Sequence, residues 1–263
     1  MTQTSIPQVL CISGHDPSGG AGLQADIEAI AAQGAHALGV ITALTVQDSR
    51  DARRVQPIAP ALIGEQLAHL LADCRIDAIK LGLLGDADQV PHILRAIERA
   101  RVPVVVDPVL RAGGGGALAS AATARALLEQ LLPVATVATP NAAEARRLAA
   151  EAADLDTAAQ QLLARGCAHL LITGGDEDTA EVENRWYQPH QPPYIFRWPR
   201  LPGGFHGAGC TLAAALAARL AFGEHIAVAL DTAQRYVQGC LERALRIGGG
   251  RPIPNRVART AQR

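Results

Sequence analysis

The stretch Phe205-His206-Gly207-Ala208-Gly209-Cys210-Thr211-Leu212 runs straight into the alanine-rich segment Ala213–Ala221. Small residues at Gly207, Ala208 and Gly209 let backbone N–H groups approach an anion, and a following helix adds the positive end of its dipole. Such a loop cradles a phosphate or a developing oxyanion. The plainer alternative is a glycine-rich turn ahead of a packed helix. Cys210 falls in the first turn. A free thiol titrates near pH ~8.5 and a helix N-terminus lowers that, so the sequence predicts a usable thiolate fraction at neutral pH. Otherwise Cys210 is a small buried hydrophobe.

A second glycine-rich loop, Ser13 to Asp26, follows the first apolar run. It lacks the GK[ST] end of a phosphate-binding P-loop, and Ala25 breaks a GxGxxG fingerprint. Hydride transfer on a dinucleotide is therefore disfavoured. The glycines instead let backbone close around a flat substrate, with His15 and Asp26 adding polar contacts and Asp16 free to cap the turn. Gln47, just past another run, carries a donor and an acceptor in one plane, as an aminopyrimidine edge requires, although loop glutamines are often only solvated. Asp107, Asn141 and Glu144 stand where strands end, a common way to hold Mg²⁺ beside substrate phosphates. Asn141 and Glu144 also fit a capping box, and the two roles are compatible. The Thr173-Gly174-Gly175 backbone is placed to approach a nucleotide phosphate, and Gly113–Gly116 reads as a lid or a plain loop.

These residues need strands that end in loops on one side of a sheet. Apolar runs at Val9–Ser13, Gly39–Leu44, Ala78–Gly82, Val104–Asp107, Thr136–Thr139 and His169–Thr173 read as strands covered on both faces. Helical spacing fills Gly22–Gln33, Ala61–Asp73, Asp86–Arg101, Ser120–Leu132, Ala142–Ala150 and Thr157–Ala164. A strand pair at Glu183–Tyr187 and Tyr194–Trp198 follows, then helices over Gly207–Ala221 and His225–Arg246. Alternation of this kind predicts an α/β fold with a mostly parallel sheet and one cleft outside the carboxyl ends of its strands. A single domain spans residues 1–247. The stretch from Gly248 holds three Gly, two Pro and four Arg without an acid, and is expected to be a flexible tail.

Composition narrows the partners. The net charge of −1 over 263 residues gives no field for nucleic acid or an anionic membrane. No apolar stretch approaches the length of a membrane span. Five scattered cysteines without a CxxC pair read as reduced thiols, placing the chain in the cytoplasm. Lys80 is the sole lysine among 24 basic residues, which reads as a compositional bias without functional weight and nearly excludes lysine–phosphate contacts.

Taken in order, GHDPSGGAG–QAD, ITALTVQ, KLGLL, VVVDPV, TPNAAEA and HGAGCTL resemble hydroxymethylpyrimidine/phosphomethylpyrimidine kinase of the ribokinase-like superfamily. The resemblance runs from Val9 to the mid-220s and is thin over Glu151–Leu201. It implies a three-layer α/β/α sandwich, ATP with Mg²⁺, a homodimer, and phosphorylation of 4-amino-5-hydroxymethyl-2-methylpyrimidine and then of its monophosphate. By similarity Gln47, Asp26, Gly14, Ala21 and Val109 form the pyrimidine pocket, and Gly207–Cys210 form the anion hole, with Cys210 in the place of a sugar kinase's catalytic aspartate. Asn141, Glu144, Thr173, Gly175 and Arg111 fall on the ATP side, and Asp107 and Glu144 hold the metal directly or through water. Thr173 and Arg111 stand where the family often has lysines, and Arg111 with backbone amides is implied to carry that charge. The alternatives are a pyridoxal-type vitamin kinase on the same fold and a catalytically weak pyrimidine-binding protein.

Overall fold

The computed structural model describes residues 6–110, 116, 118–150 and 152–257. Its centre is one nine-stranded sheet: β1 (Gln8–His15), β2 (His36–Gln47), β3 (Ala52–Pro57), β4 (Ala78–Leu81), β5 (Val104–Val106), β6 (Val137–Ala138), β7 (His169–Ile172), β8 (Glu181–Tyr187) and β9 (Tyr194–Pro199). The spatial order is β3-β2-β1-β4-β5-β6-β7-β8-β9. Pairing is parallel from β2 through β7 and antiparallel at the β2–β3, β7–β8 and β8–β9 seams.

Strand residues alternate between two separate cores. Leu10 and Ile12 of β1 and Val104 and Val106 of β5 face one helical layer, while Val9, Cys11 and Val105 face the other. This is why the runs are continuously apolar: neither face of the central strands meets water. The first layer holds α2 (Pro60–Asp73), α3 (Val90–Ala100), α4 (Ala121–Ala126), α5 (Ala142–Leu148) and α6 (Leu155–Leu163). The second holds α1 (Gly22–Ala32), α7 (Ala208–Ala221) and α8 (Ile226–Glu242). Ala213, Ala214, Ala215, Ala217 and Ala218 of α7 are fully buried, and their small side chains let the helix lie close to the sheet. The expected three-layer, ribokinase-like sandwich is present.

Several details depart from expectation. β2 runs three residues further, so Gln47 ends the strand rather than following it. The β3 edge strand, Ala52–Pro57, carries two arginines and no apolar run, so periodicity does not mark it. The helix expected to 132 passes through a π turn at Leu127–Leu131, and α8 stops at Glu242.

The largest correction concerns the stretch from Gly248, expected to fray. Over 248–257 it is packed as a strap. Leu245 and Ile253 exchange backbone hydrogen bonds of 2.9 Å, His206 N–H donates to Pro252 O at 2.9 Å, and Arg251 N–H donates to Ser49 O at 3.0 Å. Arg256 is 3% exposed. Its Nε donates to Thr211 Oγ1 at 2.8 Å, and Nη1 to Gly19 O at 3.1 Å and Glu28 Oε2 at 3.0 Å. Nη2 donates to Gly20 O. One guanidinium thus joins both glycine-rich loops and α1. Composition missed this because a single satisfied arginine outweighs a polar, proline-containing stretch.

Arg256→Ala leaves two carbonyls, a hydroxyl and a half-buried carboxylate without this partner. The expected loss is about 2–3 kcal/mol, discounted for the solvent that reaches Glu28. Urea unfolding should show a lower midpoint at unchanged slope.

Candidate functional site

The strand order reverses between β1 and β4, which lie side by side although β2 and β3 intervene in sequence. Such a switch point leaves a crevice, because the loops after the two strands diverge. A cleft of about 1220 Å³ opens here, at the carboxyl ends of the parallel strands.

Its floor is ionic. Lys80 of β4 is 0% exposed. Its Nζ lies 2.9 Å from Asp26 Oδ1 and donates to Asp26 Oδ2 at 3.0 Å and to Ser13 Oγ at 3.2 Å. Ser13 Oγ donates in turn to Asp26 Oδ2 at 2.6 Å. Burial works against the ammonium charge, but Asp26, Cys210 and Asp107 overcome it and hold Lys80 above the usual lysine range. Lys80 therefore has the structural weight that composition denied it. Asp26, expected in the pyrimidine pocket, lies wholly buried beneath the cleft rather than on its wall.

Above this floor sits the start of α7. Gly207 has φ +83, and a Cβ there would collide with the Gly20 carbonyl, so the left-handed turn and the closeness of the two loops both demand glycine. No side chain caps this helix. Its first amides are open to an anion. α5 differs: Asn141 Oδ1 accepts Glu144 N–H at 2.8 Å, Glu144 Oε2 accepts Asn141 N–H at 3.0 Å, and Asp176 accepts Ala142 and Ala143 N–H at 3.2 and 2.9 Å. The capping box is present, and Asp176, unremarked in the sequence, closes the rest of that helix end.

The thiolate expected at Cys210 is not favoured. Burial pushes its thiol up well beyond the ordinary range, and the neighbouring Asp107 carboxylate adds to the shift; both outweigh Lys80 and a backbone hydrogen bond from Gly22. Asp107 is itself raised, by burial first, against the pull of Lys80 and a hydrogen bond from Cys210. Its Oδ2 is 3.9 Å from Lys80 Nζ and has no hydrogen-bond partner among the described residues. Glu144 is pushed up to about 8, by burial and then by Asp107.

At one end of the cleft, Gly14, Ala21 and Gln47 line the wall with His206 and Asp16. At the other, Gly174 N–H donates to Asn184 Oδ1 at 3.0 Å, and Asn184 Nδ2 to Gln234 Oε1 at 2.8 Å. Arg200 donates to Gly175 O at 3.2 Å and Gly174 O at 3.3 Å. A guanidinium thus borders the loop whose sequence lacks lysine. Val109, Asp107, Asn141, Glu144, Thr173 and Gly175 reach the cleft, as do Gly207, Ala208, Gly209 and Cys210. Arg111 and Gly113–Gly115 lie outside the described residues.

Among known proteins, residues 16–254 match a family model described as phosphomethylpyrimidine kinase. The chain is 37% identical over 251 residues to the hydroxymethylpyrimidine/phosphomethylpyrimidine kinase of Synechococcus elongatus, covering 94% of this chain and 95% of that one. It superposes on the pyridoxal kinase of Staphylococcus aureus in complex with ADP with a TM-score of 0.87 at 28% identity, covering 96% of this chain and 94% of the other. For the phosphomethylpyrimidine kinase of Clostridium difficile the TM-score is 0.77 at 26% identity, over 90% of this chain and all of the other.

Two measurements test the electrostatics. Lys80→Met strands Asp26 and Asp107 without their cation, and the expected loss in denaturant unfolding is about 3–5 kcal/mol. Glu144 has a folded pKa of about 8 against an ordinary 4.5, so the folded chain holds an extra proton between those values. Its contribution to stability therefore falls as pH rises through that window and is flat outside it. Glu144→Gln should flatten that decline and be more stable than the parent at pH about 8.

Proposed function

The chain belongs to the phosphomethylpyrimidine kinase family, and on that premise we propose that it transfers the γ-phosphoryl group of ATP to 4-amino-5-hydroxymethyl-2-methylpyrimidine and then to the monophosphate. The observation that carries this reading is the uncapped start of α7, set in one cleft that is lined by Gln47 and by Gly175. Phosphoryl transfer is mostly positioning and charge stabilisation, and preformed amides suit both. The pyrimidine lies against Gly14, Ala21, Gln47 and Val109. The nucleotide lies along Thr173 and Gly175, with Arg200 bracing that loop in place of the family's usual lysine.

Mg²⁺ fits Asp107 and Glu144. Asp107 Oδ2 is buried and unbonded, while no cluster of three or more possible metal-ligating side chains occurs among the described residues. That donor set suits an ion shared with phosphate oxygens and water. Such an ion neutralises charge on the β- and γ-phosphates.

Cys210 is proposed as the group beside the hydroxymethyl oxygen. Its thiol neighbours the Asp107 carboxylate, which acts on it electrostatically. Loss of the thiol proton to solvent in the cleft leaves a thiolate steadied by Lys80, which accepts the alcohol proton as the oxygen attacks phosphorus and ADP departs. Burial raises both the thiol and the Asp107 carboxyl, and Lys80 opposes each shift. The monophosphate needs no such base, since its oxygens are already anionic.

The backbone follows a pyridoxal kinase closely, which makes pyridoxal the second acceptor to test. A homodimer fits the sheet face at the end of β2, where Leu44 and Val46 are 45% and 47% exposed. No helix among the described residues is long and apolar enough to cross a membrane.

With ATP and Mg²⁺, mass-resolved products should show the mono- and then the diphosphate of the aminopyrimidine, at higher kcat/KM than for pyridoxal. Binding without product would favour a sensor. Cys210→Ala should slow the first transfer about 10²-fold and the second far less. Equal losses in both steps would remove Cys210 from the base role.

A further inference from the structure

Asp16 accepts three hydrogen bonds. Its Oδ1 takes Ser18 N–H at 2.9 Å, and its Oδ2 takes Ala21 N–H at 3.0 Å and faces His206 Nε2 at 2.6 Å. Asp16 and His206 are 3% and 5% exposed. The backbone amide of His206 is tied to Pro252 O, and the ring packs so close to Gly20 that a Cβ there would strike it. Two of the three partners of Asp16 are backbone amides, which can only donate and so favour the ionised carboxylate. Burial opposes that state, but the bonds from His206 and Ser18 hold its pKa below the usual carboxylate range. An ionised Asp16 at 2.6 Å then requires a proton on His206 Nε2, whether the ring is neutral or charged.

The same Nε2 lies 3.2 Å from the end of the Gln47 carboxamide, at the atom placed as nitrogen. Two donors would face each other. The two ends of a carboxamide have nearly the same shape, and only the hydrogen-bond network distinguishes them. With Nε2–H fixed by Asp16, the end that faces His206 is the oxygen.

We infer that Asp16 and His206 are positioning residues that pin the Gln47 carboxamide with its NH₂ directed into the cleft, so that the site selects a ring whose edge offers an unprotonated nitrogen. This rests on the pyrimidine reading above and deepens it. A 4-aminopyrimidine presents such a nitrogen beside its amino group. The 4-oxo analogue presents a ring N–H there and meets a donor with a donor. A site built around one buried polar match rejects the mismatch strongly, so the discrimination in kcat/KM should be about 10²-fold or more.

The test compares 4-amino and 4-oxo hydroxymethylpyrimidines as phosphoryl acceptors in the parent, His206→Leu and His206→Gln. Leucine frees Gln47 to rotate, and the preference should fall below about 10-fold. Glutamine can donate one N–H to Asp16 and one to Gln47, so it should restore the preference. A folded, active His206→Leu enzyme that keeps the parent ratio overturns the inference. A direct readout needs no variant activity. Long-range ¹H–¹⁵N spectra of histidine-labelled protein should show His206 Nε2 protonated, the signal being assigned among the eight histidines by its loss in His206→Gln. A bare Nε2 overturns the inference even if the kinase is active. If the parent fails to phosphorylate the aminopyrimidine, the proposed function falls and the spectrum alone decides the orientation of Gln47.

Discussion

One ammonium group sealed beneath the cleft sets the terms for everything above it. Lys80 reaches from β4 to Ser13 on β1 and Asp26 on α1, and faces Asp107 after β5. Three neighbouring strands and a helix of the second layer are thus pinned at the point where the strand order reverses. A buried ion pair is a weak source of net stability, because desolvation offsets most of the attraction. Its value here is geometric: only one arrangement of these elements leaves no charge unpaired. The same cation limits how far Asp107 and Cys210 can rise.

Around that floor the charge is uneven. Asp107 and Glu144 are both raised, each first by burial, and Asp107 adds to the shift of Glu144. The helix start at Gly207 offers amides without a side-chain cap, while the start of α5 is filled by Asn141, Glu144 and Asp176. The two helix ends thus differ: one leaves its amides open and the other has them filled.

Most of the scaffold was legible because burial on both faces leaves a direct mark in the sequence, as in the unbroken run Val104–Val106. The β3 strand left none, since an exposed edge can carry Arg53 and Arg54 without cost. The glycine-rich loops revealed their place, and Gly207 its necessity, but not their contacts. Cys210 shows how a local rule yields to its surroundings: the helix dipole acts over one turn, while burial and a carboxylate act at closer range. Lys80 and Arg256 were hidden for a different reason. Composition counts residues, and neither a sole lysine nor one arginine in a basic stretch reveals that it is buried with partners far away in the chain.

The strap has a consequence for the order in which the molecule comes together. Asp16 and His206 are 190 residues apart, and Arg256 and Gly20 are 236 apart. The neighbours β4, β5, β6 and β7 follow one another in sequence, so the sheet can grow through much shorter loops. Contacts of long sequence separation carry the greater closure entropy and form late. Refolding should therefore yield a chain that has its sheet and first core before α7 and α8 complete the second core and the site. Catalytic competence arrives last, when the two ends of the fold meet.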